Sequence, residues 1–178
     1  MSTTVDVSTR WWWVAPELAL VVVAVLASAY LPAPTPRGAL RAQVTARATT
    51  AVERLTPADH SAHGHDLTAD RTRIACVAEL MGYAPAGAAR LADVETAYLY
   101  YQCAAGAPGQ PYDQAALLAG PAAVDLGRQP PVARVPGAGP GYAQRLLTLI
   151  PPEYHAWAID GFHDPAVAAS LPARYATP

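Results

Sequence analysis

Hydrophobic and polar positions along the chain fall into runs of different period, and each period predicts an element. From Trp11 to Leu31 the residues are nearly all apolar, WWWVAPELALVVVAVLASAYL. As a helix this run is about 31 Å long, close to the roughly 30 Å hydrocarbon core of a bilayer. Trp11, Trp12 and Trp13 fall at the interface, where indole rings are favoured, and Glu17 lies near enough to that end for its carboxylate to reach the headgroups. Pro32, Pro34 and Pro36 then favour an extended spacer. After it, Leu40, Val44, Ala48, Val52 and Leu55 recur every three or four residues. That is the period of an amphipathic helix with a narrow apolar face, which packs on a domain or pairs with another copy.

Beyond residue 72 the period shortens to two. Ile74, Cys76, Ala78 and Leu80 share one face of a strand from Arg73 to Tyr83. Val94 to Ala104, VETAYLYYQCA, reads as a second strand with Ala97, Leu99, Tyr101 and Cys103 on one face, although Glu95, Ala97 and Leu99 leave a helix open. Short apolar stretches at Ala115–Leu118, Val124–Leu126 and Val132–Val135 extend the sheet, the last two joined by a turn over Gly127–Pro131. Pro121, Pro130, Pro131 and Pro136 confine them to edges or ends. Leu146, Leu147 and Ile150 make one face of a helix from Tyr142 to Ile150, and another runs from Glu153 to Ile159 with Pro152 near its first turn and Tyr154 and Trp157 supplying core bulk.

The expected fold class is therefore α+β: an N-terminal transmembrane or signal helix, then a small antiparallel sheet with C-terminal helices. Three regions follow: residues 1–31 as tail and membrane or signal segment, 32–72 as a proline-rich, histidine-containing tether with a helix, and 73–178 as the domain. About 100 residues in that domain suffice for one modest core.

Composition narrows the function. The 178 residues carry a net charge of −2 with no basic block, which argues against a nucleic-acid partner. Topology signals conflict. Arg37, Arg41 and Arg47 follow the apolar segment while Arg10 alone precedes it, a count that places the C-terminal part inside the cell. The two cysteines, Cys76 and Cys103, and the cleavage-like Ala27-Ser28-Ala29 place it outside. The expectation is a single-pass membrane protein with an extracytoplasmic C-terminal domain; the alternative is secretion after cleavage following Ala29. Bonded to each other, Cys76 and Cys103 close a loop of about 28 residues, which in the chain-entropy model is worth roughly 3.5 kcal/mol. Their spacing is not that of a redox-active pair.

Three further clusters carry candidate chemistry. His60, His63 and His65 lie within six positions, flanked by Asp59 and Asp66, and are the right ligand types for a transition metal ion. The same stretch reads as a polar linker. The glycine-rich run Pro136–Gly141 before a helix has the form of an anion cradle, but it lacks the Walker lysine and GxGxxG spacing and reads as a structural turn. Glu153, His155, Asp160, His163 and Asp164 read as a solvated helix end and loop.

The runs IACVAELMGYAPAGAARLADVETAYLYYQCA and VPGAGPGYAQRLLTLIPPE together resemble a group of uncharacterised actinobacterial membrane-anchored or exported proteins. The shared features are a cysteine-bearing strand, a turn of small residues and proline, a Val-x-Thr-x-Tyr strand ending in Cys, and a Pro-x-x-Gly-x-x-Tyr loop before a helix. The resemblance covers residues 73–153 and implies no activity. With no nucleophile beside a base and no carboxylate pair, the expectation is a non-enzymatic binding or accessory protein of the cell envelope, needing no cofactor. Its partners would be the membrane, through residues 11–31, and an envelope protein or cell-wall component. The alternatives are a metal-handling protein built on the histidines and an enzyme with a dispersed site.

Overall fold

The structure, a computed structural model, describes residues 35–55, 59 and 73–177. The Trp11–Leu31 segment and His60, His63 and His65 lie outside the described residues. Among the described residues no helix is long and apolar enough to cross a membrane.

The fold is α+β. Helix α1 (Pro36–Glu53) is followed by strands β1 (Arg73–Ala84), β2 (Thr96–Gly106), β3 (Ala116–Asp125) and β4 (Val132–Arg134). Four short helices close the chain: α2 (Tyr142–Leu149), α3 (His155–Asp160), α4 (Pro165–Ala169) and α5 (Leu171–Ala176). The strands form one antiparallel meander in the order β1-β2-β3-β4.

Helices cover both faces of this sheet, so β2, an inner strand, is buried or half-buried along its whole length. The stripe Leu40, Val44, Ala48 and Val52 on α1 is buried against Cys76, Leu80, Leu99, Cys103, Leu118 and Val124. The helical and strand periods read from the sequence thus meet in one core. On the opposite face, Leu171 and Tyr175 of α5 pack on Ala75, Val77 and Ala104, while Leu146, Ile150 and Ala158 pack on Met81 and Ala123. Helix α1 supplies five buried residues of this core layer, and the compact unit runs from Pro36. Arg41, one of the arginines in the topology count, also has a structural partner: its guanidinium donates to the Leu80 carbonyl at 2.5 Å.

Cys76 and Cys103 are directly opposed and disulfide-bonded, with Cα atoms 4.0 Å apart and both side chains fully buried. In an antiparallel pair so close an approach marks a non-hydrogen-bonded position, since hydrogen-bonded partners sit about 5.5 Å apart. The Cys76 amide agrees, for it donates at 2.9 Å to the Glu53 carboxylate of α1 and not across the ladder. This pairing sets the parity of every strand. A disulfide fits an oxidising, extracytoplasmic compartment.

The structure departs from the sequence reading in three places. Ala115–Leu118 and Val124–Leu126 are not separate pieces: β3 runs unbroken from Ala116 to Asp125 through Gly120 and Pro121. Pro121 is compatible with this because β4 pairs only with Ala123–Asp125, leaving β3 an edge strand at the proline. The helix expected from Glu153 is a 3₁₀ turn over Pro152–Tyr154 leading into α3. Finally, β1 has a bulge between Leu80 and Gly82, which lets Tyr154 press so close to Gly82 that a side chain there would begin 2.0 Å from the phenolic oxygen.

Replacing both cysteines by alanine, or reducing the bond, should lower unfolding free energy by about 3–4 kcal/mol. Urea denaturation of oxidised and reduced protein checks this; coincident curves would show that the loop adds no constraint.

Candidate functional site

Strand parity determines what each edge of the sheet presents. Because Cys103 faces away from β1 in hydrogen bonding, it bonds towards β3, so Leu118, Gly120, Ala122 and Val124 point their backbone groups inward. Leu117, Ala119, Pro121, Ala123 and Asp125 point outward. Strand β4 takes up Ala123 and Asp125. The amide and carbonyl groups of Leu117 and Ala119 have no backbone partner among the described residues. Both residues are exposed, Leu117 at 50%. No charge interrupts Ala115–Val124.

A cleft of about 280 Å³ opens beside this bare edge. Its floor is Ala119, Gly120 and Pro121 of β3 with Tyr100 of β2; its wall is Tyr142, Ala143, Leu146 and Leu147 of α2 with Ala158 and Ile159 of α3. Leu146 and Ile150 do face the core as the helical pattern predicts, but Leu147 is 42% exposed. Five large apolar side chains are exposed among the described residues. Tyr142, Leu147 and Ile159 line this cleft, Leu117 lies two residues along the same edge, and only Val132 is elsewhere.

Two polar clamps hold the walls. Arg145 donates to the carbonyls of Gly137, Ala138, Gly139 and Pro140 at 2.6–3.2 Å. The glycine-rich loop therefore turns carbonyl oxygens, not amides, towards a guanidinium, the reverse of an anion cradle. Gly141, at φ 81°, completes the turn where a side chain would begin 3.2 Å from Arg145 Nη1, and Tyr142 follows. The second clamp is Glu79 of β1, whose carboxylate accepts from the amides of His163 and Asp164 at 2.8 and 3.2 Å. The supposed solvated loop is thus tied down: Asp164 caps α4, and the His163 ring stacks on Trp157 with centroids 4.2 Å apart. Phe162 beside it meets the Tyr100 ring edge-on at 5.1 Å and fixes the cleft floor.

Among the described residues, the only side-chain polar atoms lining the cleft are the tyrosine hydroxyls. Burial raises the pKa of Tyr100, and burial with the neighbouring Tyr100 raises that of Tyr142. On the strand behind them, Tyr101 is pushed up to about 12, by burial first and then by Tyr142 and Tyr100. All three are neutral phenols at physiological pH, so they offer hydrogen bonds and not charge.

The sequence-predicted site residues separate. Cys76 and Cys103 are together but sealed in the core as a bond, away from the cleft. Among the described residues no group of three or more His, Cys, Asp or Glu side chains is placed to hold a metal ion. Tyr100, Tyr142, Leu147 and Ile159 were not singled out by sequence; the available signal was the mismatch between a ten-residue β3 and the three residues of β4, visible only once the register is known. No protein-family model, curated protein or solved structure matches the chain.

Phenolate formation is disfavoured in the folded state, so Tyr101 binds its proton more tightly folded than unfolded. Stability should be unaffected by this group below about pH 10 and fall as pH rises from about 10 to about 12. A near-ultraviolet absorbance titration should show one phenol ionising last, lost in Tyr101→Phe; a single transition near pH 10 for every tyrosine would contradict the packing.

Proposed function

We propose that the protein is a membrane-anchored, extracytoplasmic binding module of the cell envelope, and that the apolar cleft between β3 and α2 is its binding surface. One observation carries the reading: four of the five exposed large apolar side chains gather at this cleft and its strand edge. A domain this small leaves so concentrated an apolar patch open to water when something covers it in use. The disulfide supports the extracytoplasmic part, and the apolar length of residues 11–31 supports the anchor. The clamps by Arg145 and Glu79 support a preformed surface, since they tie both walls through bonds within the chain.

A photo-crosslinking residue placed at Ile159 in intact cells should give discrete adducts that disappear when Leu147→Ser is added. The same residue at Arg128, whose side chain is 71% exposed on the turn before β4, should give none. Equal labelling at both positions, or labelling indifferent to Leu147, would overturn the reading.

A further inference from the structure

The two edges of the sheet differ in the charged side chains laid on them, and the difference bears on what the cleft receives. Along β1, two charged side chains of α1 lie on the outward-pointing backbone groups: Glu53 accepts from the Cys76 amide at 2.9 Å and Arg41 donates to the Leu80 carbonyl at 2.5 Å, one on each side of the outward groups of Ala78. Charged side chains laid on an edge are a standard defence against pairing with another strand. On β3 the outward groups of Leu117 and Ala119 have no such cover among the described residues, and Ala115–Val124 carries no charge to discourage a neighbour.

The open stretch is also bounded. Pro121 has no amide to donate, and the Tyr142 hydroxyl comes within 3.9 Å of where a Gly120 side chain would begin. Among the described residues, Leu117 and Ala119, with one donor and one acceptor each, and the Pro121 carbonyl remain to form a ladder. The cleft opens at the end of that ladder, and its volume of about 280 Å³ has room for a large apolar side chain.

We propose that the occupant is an extended peptide segment of a partner protein, added to the sheet beside Leu117 and Ala119, with one large apolar side chain seated against Tyr142, Leu147 and Ile159. The proposal rests on the reading of the cleft as a binding surface and specifies its ligand class. Main-chain hydrogen bonds supply affinity in such strand addition, and the pocket supplies selectivity for the anchoring side chain.

The test uses the full chain in detergent micelles and a blocked seven-residue peptide of alternating threonine and valine around a central leucine. Calorimetry should detect binding, and replacing the central leucine by alanine should weaken it. N-methylation of alternate peptide amides should weaken binding about tenfold in one phase, where it removes a donor facing β3, and leave it unchanged in the other. Ala119→Pro should cause a similar loss; the Ala119 amide bonds to no strand of this sheet, so the fold is kept. The peptide arm needs no altered protein and stands if that variant misfolds. Binding indifferent to both N-methylation phases would overturn strand addition while leaving the cleft as a surface for something else. Absence of binding to the leucine peptide at millimolar concentration would overturn the proposal even if crosslinking at Ile159 succeeds. Self-association of the chain, abolished by Ala119→Pro, would overturn it in favour of a second copy at the same edge.

Discussion

The Cys76–Cys103 bond joins an inner strand of the sheet to its neighbour at a non-hydrogen-bonded position, and the rest of the molecule inherits its geometry from that choice. Side chains alternate with a period of two, so a slip of β1 by one residue against β2 would turn Cys76 and Leu80 away from α1 while Leu99 and Cys103 still faced it. The disulfide forbids the slip. It also fixes which backbone groups of β2 face β3, and through β3 which groups reach the outer edge. A covalent link buried in the core thus decides, two strands away, that Leu117 and Ala119 present their amides and carbonyls to solvent.

Helix α1 and the C-terminal helices turn this sheet into the middle layer of a sandwich and give its two edges different characters. Helix α1 runs along β1 and brings Arg41 and Glu53 onto that edge. Glu53 is further held by Arg174 of α5 at 2.8 Å, so helices on both faces of the sheet meet over that edge. At the other side β4 is three residues long, and the chain leaves it through a glycine-rich loop gathered around Arg145 to place α2. The short strand and the offset helix leave a gap between them. That gap is the cleft, and it is apolar because its walls come from the same faces of β3, α2 and α3 that build the core further in.

Much of the fold was legible because it depends on local periods. The four-residue spacing of Leu40, Val44, Ala48 and Val52 identified a helix with one buried face, and alternation in β1 and β2 put both cysteines on the core side of their strands. What the sequence hid depends on pairing. Gly120 and Pro121 look like a break because both residues weaken strands in general; they are accepted inside β3 because its outer side is unpaired there. The start of the domain at Pro36 was hidden because a helix that contributes a core layer has the same pattern as one beside a domain. The cleft was least legible of all. Leu147 and Leu146 are adjacent and chemically alike, and only the position of α2 over the end of the sheet leaves one buried and the other exposed.

The central claim is that the disulfide's register leaves β3 half paired beside the cleft. Residue-resolved hydrogen–deuterium exchange of the full chain tests it most directly. Along β3 the account predicts alternation: amides of Leu118, Gly120 and Ala122 protected by β2, and amides of Leu117 and Ala119 exchanging at rates close to those of an exposed chain. Protection of Leu117 and Ala119 equal to that of their neighbours would contradict it, and would mean that the edge is already covered or that the register is not the one the cysteines impose.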